Sequence, residues 1–378
     1  YKGLIMAGYQ GWFNTPDDGA NRKWRHYPGK QGFKPGSCSI DMWPDVSEYE
    51  KVYSTPFRFA DGGVASVFSS YDESTVDTHF RWMKEYGLDG VFMQRFVGEV
   101  KNPSGKNHFN KVLASATKAA DKYDRAICVM YDLSGMKGTD ASFVLDDIDE
   151  LTRLFNIGNR KKNPSYLFHN GRPLVVIWGV GFNDRRRYTT EDVELIVDGL
   201  KKRGFSVMLG VPTYWRELRS DTENNPKLHE LIRKSDIIMP WFVGRYNDRS
   251  FEKFKHLVPE DIAWCKSNKI DYAPLVFPGF SWKNMKGMNS HSTPRNKGRF
   301  LWDQMYNAGA EMIYVAMFDE MDEGTAIFKC ATKVPIGESV FVPIEEGLSS
   351  DHYLWLVGQG KKMLKNPKGF SSELPVRK

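Results

Sequence analysis

Eight runs of apolar, β-branched and aromatic residues recur along the chain and predict buried strands. Within each run almost every position is apolar, which is typical of parallel strands that are covered on both faces. The runs span residues 3–13, 90–96, 126–132, 173–180, 206–212, 236–243, 272–280 and 311–320.

The stretches between these runs carry apolar residues three and four positions apart, which predicts helices. One of them begins at Thr189 or Thr190, either of which can cap a helix, and ends at Gly204. Strands and helices that alternate eight times predict a (β/α)8 TIM barrel, an α/β fold. The predicted helices span residues 73–87, 109–123, 143–155, 189–204, 226–235, 260–269, 299–309 and 351–364.

Residues 14–72 interrupt this alternation. The segment is too long for an ordinary connection between a strand and a helix, and it is rich in proline, glycine and aromatic residues. No linker, repeat or low-complexity stretch divides the rest of the chain. We therefore expect one (β/α)8 catalytic domain over residues 1–378, with residues 14–72 inserted over one face of the barrel.

The composition indicates a globular protein without a membrane span and without a nucleic-acid partner. Of its 378 residues, 41% are hydrophobic and 26% are charged. No run of about 18 apolar residues predicts a membrane span. The net charge of +6 comes without a dense basic tract, so nucleic acid is not an expected partner. An anionic polysaccharide remains an alternative as the substrate. We expect a monomer.

Two further features bear on compartment and cofactors. The chain begins with Tyr1 and not with methionine, so we expect a trimmed chain that is secreted, periplasmic or on the cell surface. Its four cysteines lack the spacing of a zinc or redox site, although a single disulfide between two of them remains an alternative. Phosphate-binding and dinucleotide-binding glycine motifs are absent, and we predict that the protein uses no cofactor.

In a barrel of this kind, catalytic and binding groups lie at the carboxyl ends of the strands. Those ends are rich in aromatic, amide and guanidinium side chains, which together predict a sugar-binding rim, although any one ring also suits the core. The RRRY sequence at 185–188 predicts a solvated basic patch in a loop, with contact to an acidic substrate as the alternative. The candidate substrate-binding residues are Tyr9, Gln10, Trp12, Gln94, Arg95, Tyr131, Asp132, Trp178, Tyr214, Trp241, Arg245, Tyr246 and Trp282.

The eighth run ends in an acidic cluster, Asp319, Glu320, Asp322 and Glu323. Carboxylates this close repel one another, so the cluster is costly unless water or chemistry uses it. A solvated turn and a calcium or magnesium site are alternatives, but the spacing is not that of an EF-hand. A carboxyl pair suits glycosidic cleavage, because one group protonates the leaving oxygen while the other acts as base or nucleophile. Gly324 favours a turn there.

Several segments resemble the glycoside hydrolase family 99 endo-α-mannosidases, which are related to the family 71 α-1,3-glucanases. FDEMDEGTAIFK, ending at Lys329, resembles their Glu-x-x-Glu-Gly-Thr-x-Ile segment on strand eight. The GYQGWFN and YDESTVDTHFRWMKEYGLDGV stretches are similar to their first strand and to their first helix and second strand. PGF at 278–280 followed by PRNKGRF at 294–300 is similar to their seventh strand and the helix beyond.

This resemblance implies an enzyme that cleaves α-linked glycans with retention. It implies that Glu320 acts as a base on the sugar 2-hydroxyl, giving a 1,2-anhydro intermediate, and that Glu323 is the general acid/base. Where the mannosidases carry Asn-Glu-Trp-His-Glu, this chain has Asp319-Glu320-Met321-Asp322-Glu323. We therefore add Asp319 and Asp322 to the substrate-binding candidates and expect a different sugar specificity. A carbohydrate-binding barrel without catalysis and an exo-acting glycosidase of other specificity remain alternatives.

Overall fold

The computed structural model describes residues 1–287 and 293–377. Its strands are β1 (Ile5–Tyr9), β2 (Tyr53–Arg58), β3 (Val64–Val67), β4 (Gly90–Phe96), β5 (Ala126–Asp132), β6 (Phe168–His169), β7 (Arg172–Trp178), β8 (Ser206–Val211), β9 (Ile237–Pro240), β10 (Asp271–Tyr272), β11 (Leu275–Val276) and β12 (Ile313–Val315). Its α-helices are α1 (Glu73–Tyr86), α2 (Val97–Val100), α3 (Pro103–Tyr123), α4 (Ala141–Phe155), α5 (Thr190–Lys202), α6 (Lys227–Arg233), α7 (Phe251–Phe254), α8 (Leu257–Ser267), α9 (Lys283–Lys286), α10 (Arg299–Tyr306) and α11 (His352–Lys365).

The main sheet closes into a barrel through the seventh apolar run. Parallel pairing runs in the order β10, β9, β8, β7, β5, β4, β1, β12, β11. The two end strands belong to the same stretch of chain, separated by Ala273 and Pro274. The Ala273 N–H donates to the Ile238 carbonyl at 2.9 Å, and the Tyr314 N–H donates to the Pro274 carbonyl at 3.0 Å. This stretch thus pairs on both sides, and the fold is the (β/α)8 barrel predicted from the sequence.

The buried strand residues face two directions, as the alternation of side chains along a strand requires. In β1, Met6 packs in the group of buried residues inside the barrel, whereas its neighbours Ile5 and Ala7 pack with the helices. The same alternation places Phe92 inside and Val91 outside. Both faces of the strands are therefore covered, which explains why the runs read as continuously apolar.

Local chemistry sets the ends of the helices. The Thr189 hydroxyl accepts from the Asp192 N–H, and the Asp192 carboxylate accepts from the Thr189 N–H at 2.8 Å, so Thr189 caps α5 as predicted. Helix α1 ends at Gly87, whose φ of 86° is favourable for glycine and lets its N–H reach the Met83 carbonyl at 2.9 Å.

Residues 14–72 contact the chain that follows β12. Strands β2 and β3 of this segment form an antiparallel hairpin. The Asp41 and Met42 N–H groups both donate to the Met321 carbonyl, at 2.9 and 3.1 Å. The Asp41 carboxylate accepts from the Ser281 hydroxyl and from the Lys283 N–H. The segment therefore ties together the chain after strands β11 and β12, where the acidic cluster lies.

Two further findings concern the predicted class of protein. Within residues 1–287 and 293–377, none of the helices combines the length and the apolar character that crossing a bilayer requires. The four cysteines, Cys38, Cys128, Cys265 and Cys330, are buried free thiols.

Candidate active site

The chain reverses direction just beyond β12 and carries the acidic cluster on this turn. The Phe318 N–H donates to the Gly8 carbonyl at 2.7 Å, which holds the approach to the turn against β1. The Thr325 and Ala326 N–H groups donate to the Glu320 carbonyl at 3.2 and 3.1 Å and close the turn. Gly324 has a φ of 66°, and a Cβ there would lie 3.1 Å from Ser281. Glycine is thus required on two grounds.

A cavity of about 410 Å³ opens at the carboxyl ends of the strands, and Glu320 and Glu323 both line it. Its walls are aromatic with a few charged and amide groups, a composition that suits a sugar. The lining residues are Gln10, Trp12, Gln94, Phe96, Asp132, Ser134, Trp178, Phe182, Asp184, Arg186, Trp241, Val243, Gly244, Arg245, Phe280, Trp282, Glu320 and Glu323.

The structure brings ten of the predicted site residues together at this cavity and places seven elsewhere. Those at the cavity are Gln10, Trp12, Gln94, Asp132, Trp178, Trp241, Arg245, Trp282, Glu320 and Glu323. Those away from its walls are Tyr9, Arg95, Tyr131, Tyr214, Tyr246, Asp319 and Asp322.

Arg95 and Tyr131 lie behind the cavity because side chains alternate along β4 and β5. Gln94 and Phe96 face the cavity, so Arg95 between them points away, toward α4. There its guanidinium bonds to both carboxylate oxygens of Asp147, at 2.6 Å for one, and the Tyr131 hydroxyl donates to the same carboxylate at 2.6 Å. These side chains are satisfied within the protein and do not touch the cavity.

Three other predicted tyrosines also have partners within the protein. The buried Tyr9 hydroxyl lies 2.8 Å from His79 Nδ1. The buried Tyr246 hydroxyl donates to Gln304 Oε1 at 3.1 Å. The Tyr214 ring lies 3.8 Å below the Arg219 guanidinium.

Sequence reasoning missed a group of cavity residues on the loop after β7. The Arg186 guanidinium lies 5.1 Å from the Trp178 and Phe182 rings, and it donates to both oxygens of Asp184 at 2.7 and 2.8 Å. Arg186 thus forms part of the cavity wall, whereas RRRY predicted a solvated patch. Aromatic and charged residues close together directly after a strand, Phe182, Asp184 and Arg186 among them, are the signal that was available. The other lining residues that were not among the candidates are Phe96, Ser134, Val243, Gly244 and Phe280.

Glu320 is buried and accepts two hydrogen bonds. Its Oε1 accepts from Gln10 Nε2, and its Oε2 accepts from the Thr325 hydroxyl at 2.6 Å. Burial raises the pKa of Glu320 well above its ordinary value, and the nearby charges of Glu323 and Asp322 raise it further. The two donors oppose that rise, because they favour the ionised form.

Glu323 lies at the same cavity with a raised pKa of its own. Burial and the charge of Asp322 raise the pKa of Glu323 to about 7, while the Trp282 side chain and the Lys286 ammonium oppose the rise. Lys286 Nζ lies 3.3 Å above the Trp282 ring. The charge of Glu323 raises the pKa of Glu320, so the protonation states of the two carboxyls are linked.

The two aspartates of the turn are buried behind the cavity wall. Asp319 accepts the Gln10 and Gly11 N–H groups at 2.7 and 2.9 Å, which fixes the turn to the end of β1. Burial raises the pKa of Asp319 to about 7 in spite of these donors. Burial raises the pKa of Asp322 to about 8, with the charge of Asp41 adding to the shift.

The cations on the cavity wall are already paired with carboxylates. Arg186 bonds to Asp184, and Arg245 Nε donates to Asp221 at 2.8 Å. In the described part of the chain, no group of three or more histidine, cysteine, aspartate or glutamate side chains has an arrangement that could hold a metal ion. Two carboxyl groups, Glu320 and Glu323, lie at one aromatic cavity, an arrangement that can perform acid and base chemistry.

Comparison with solved structures identifies the fold. Two structures of the GH99 endo-α-mannosidase from Bacteroides thetaiotaomicron, one in complex with BIS-TRIS propane, match this chain with TM-scores of 0.69 and 0.68. Both are 15% identical to it; they cover 97% of this chain and 98 to 99% of their own. The chain has the fold of these mannosidases. No protein-family model matches the sequence, and no curated protein matches it.

Proposed function

We propose that the protein is a glycoside hydrolase that cleaves an α-linked glycan or polysaccharide. The observation that carries this proposal is the placement of Glu320 and Glu323 at one aromatic cavity, both with raised pKa values. An acid that keeps its proton near neutral pH beside a second carboxyl is what glycosidic cleavage requires. The fold shared with endo-α-mannosidases supports the same class of reaction.

Hydrogen bonding favours different roles for the two glutamates. Gln10 and Thr325 donate one hydrogen bond to each oxygen of Glu320, which suits a carboxylate and therefore a base. Within the described part of the chain, Glu323 has no such pair of donors, which suits the protonated form and therefore an acid. These roles agree with those that the resemblance to family 99 implies.

The reaction then proceeds in two steps with retention of configuration. Glu320 removes the proton of the sugar 2-hydroxyl, whose oxygen bonds to the anomeric carbon while Glu323 gives its proton to the departing glycosidic oxygen. In the second step Glu323 removes a proton from water, which attacks the anomeric carbon and opens the 1,2-anhydro ring. The O2 atom takes back its proton from Glu320. Both carboxyls thereby return to their starting states.

The cavity wall favours a neutral sugar substrate over an anionic one. Trp178, Trp241 and Trp282 supply aromatic surface of the kind that packs against sugar rings. The guanidinium groups of Arg186 and Arg245 are each held by a carboxylate, so neither offers an unpaired positive charge to an acidic sugar. Asp132 adds another acidic group to the wall.

A screen with product analysis tests this proposal. The protein is incubated with neutral α-linked mannans, glucans and N-glycans and with acidic polysaccharides, and reducing ends are measured. We expect hydrolysis of a neutral α-linked substrate, with the product anomer retained in NMR spectra recorded early in the reaction. A ladder of products indicates endo action, and a single monosaccharide indicates exo action.

Two outcomes contradict the proposal. Inversion at the anomeric carbon would exclude the two-step route through Glu320. Binding of a glycan by calorimetry without any product after long incubation would instead identify a carbohydrate-binding barrel.

A further inference from the structure

His26 connects a wall of the cavity to the turn that carries the two glutamates. This side chain comes from the segment of residues 14–72. Its ring lies flat on Trp12, with centroids 3.9 Å apart and planes 5° apart. Its Nδ1 atom lies 3.7 Å from Asp322 Oδ2. One side chain thus contacts both a cavity residue and the neighbour of Glu323.

The backbone at His26 is in an uncommon conformation. Its φ of 60° lies in the left-handed region, which residues other than glycine rarely adopt. The Ser39 hydroxyl donates to the His26 carbonyl at 2.5 Å and helps to hold this conformation. Such a conformation persists where its surroundings fix it, and it recurs at functional sites.

The plane of Trp12 is fixed by rings from two elements. Besides His26, the Phe96 ring at the end of β4 stacks on Trp12, with centroids 4.9 Å apart and planes 25° apart. Trp12 and Phe96 both line the cavity. Without the His26 ring, Phe96 would be the remaining ring of these two that stacks on Trp12.

Asp322 has few other polar contacts. Its side chain is 2% exposed, and its Oδ1 atom has no hydrogen-bond partner within residues 1–287 and 293–377. A buried carboxyl oxygen without a partner is costly, so a nearby imidazole matters more here than it would on the surface. The His26 Nδ1 edge supplies a polar neighbour on the Oδ2 side.

We propose that His26 is a positioning residue of this site, which fixes Trp12 for substrate binding and holds Asp322 in place beside Glu323. The inference rests on the proposed function for its catalytic meaning, but its geometry does not depend on which glycan is cleaved. The 14–72 segment then contributes to the chemistry through His26 and does more than cover the barrel.

The protonation states of His26, Asp322 and Glu323 depend on several nearby charges. Burial lowers the pKa of His26 well below its ordinary value, so the ring is neutral near pH 7. The charged groups that act on His26 are Arg22, Arg25 and Glu99; those around Asp322 are Asp41, Glu320 and Glu323; and those that act on Glu323 include Asp132 and Lys286.

Four variants separate the two roles. H26F keeps a flat ring on Trp12 and removes the polar edge beside Asp322, whereas H26A removes both. D322N and the double variant H26F/D322N show whether the histidine acts through the aspartate. For each variant, KM and the pH dependence of kcat are measured with the substrate that the wild-type protein hydrolyses. Thermal stability is measured separately.

We expect H26A to raise KM about fivefold, the size of one aromatic pair, and H26F to keep KM within about twofold. We expect H26F to move the upper limb of the kcat profile to lower pH. Without its polar neighbour Asp322 stays protonated to higher pH, so less negative charge acts on Glu323. The double variant should match D322N. The proposal would be overturned if H26F kept the wild-type pH profile of kcat. It would also be overturned if the pH shifts of the H26F and D322N profiles added together in the double variant.

An NMR readout needs no substrate and separates this inference from the proposed function. Nitrogen-15 spectra of the imidazole rings, assigned through the signal lost in H26F, follow His26 from pH 8 to 5. We expect a neutral ring throughout and a change in the Nδ1 shift in D322N. A ring that titrates near its ordinary pKa and is unaffected by D322N would overturn the role of His26, even if the enzyme hydrolyses glycans. A wild-type protein without hydrolase activity would instead count against the proposed function.

Discussion

Two clusters of buried charge lie at the carboxyl ends of the barrel strands, and they differ in charge balance. Behind β4 and β5, the Arg95 guanidinium meets the Asp147 carboxylate, which also accepts from Tyr131. Beyond β12, Glu320 and Glu323 share a turn with two aspartates, and Lys286 is the cation that acts on Glu323. The first cluster faces α4, and the second faces the cavity.

The difference indicates what each cluster does. In the balanced cluster, Asp147 holds the pKa of Arg95 above its ordinary value, so the pair stays ionised and satisfied. In the acidic cluster the carboxyl pKa values rise, which means that ionising them weakens the fold. A carboxyl that lies at a cavity and whose ionisation lowers the stability of the fold is a candidate for chemistry. An ion pair that lies away from the cavity, with its hydrogen bonds satisfied, is a structural element.

Substitution of either glutamate should have the largest effect on activity. E320Q and E323Q each remove one proton-transfer group while keeping its shape, so we expect kcat to fall about 1000-fold in each. Glu223 is a matched control, because burial also raises its pKa but it does not line the cavity. E223Q should keep activity within about twofold. Near wild-type activity in E320Q, measured with the same folded yield, would contradict the assignment.

Substitution in the balanced cluster should instead lower the stability of the fold. D147N leaves the buried Arg95 charge without its counterion, so we expect a loss of about 3 kcal/mol in the free energy of unfolding, measured with denaturant. Asp149, on the same helix, pairs with Arg203 at 2.8 Å on the surface. D149N should cost less than about 1 kcal/mol. Equal losses in the two variants would show that the buried ion pair stabilises the fold no more than the surface pair does.

The aromatic wall should affect binding more than chemistry. Trp241 lines the cavity, and its ring lies 5.2 Å from that of Trp178. W241A should raise KM about tenfold with a smaller change in kcat, because one stacking surface is lost. W241F keeps a ring and should recover most of the affinity. A W241A variant that loses kcat at unchanged KM would show that this ring does not act by binding substrate.

The smallest effect concerns stability and pH. Folding raises the pKa of Asp322 to about 8, so the folded state keeps a proton that the unfolded state releases near pH 4. Stability should therefore fall as pH rises from about 4 to 8. D322N removes this loss, and we expect its unfolding temperature to exceed that of wild type by about 3 °C at pH 8 but not at pH 4. An equal difference at both pH values would show that Asp322 titrates normally.

The barrel was predictable from sequence because strands buried on both faces must be apolar throughout and because helices keep their own spacing. The break of the seventh strand at Pro274 was not, since pairing to two different neighbours is decided by closure of the sheet. The two-residue strand β6 was missed because it pairs with the strand that follows it along a short edge.

The candidate site was predictable in part. The strand ends were identified, but adjacent residues were selected together, and alternation allows only one of each pair to face the cavity: Gln10 and not Tyr9, Asp132 and not Tyr131. Arg186 and His26 lie in a loop and in the 14–72 segment. The position of His26 depends on tertiary contacts that no local pattern encodes, whereas Arg186 was missed although aromatic and charged residues directly follow β7.

Titration of the two catalytic candidates tests the contrast between the clusters most directly. Carbon-13 NMR of labelled glutamate side chains, assigned with E320Q and E323Q, gives the pKa of each carboxyl without any substrate. We predict that Glu323 titrates near pH 7 in the wild-type protein and that the pKa of Glu320, which is raised in the wild type, falls when Glu323 is replaced by glutamine. Two glutamates that titrate near their ordinary pKa, each unaffected by the loss of the other, would contradict this prediction.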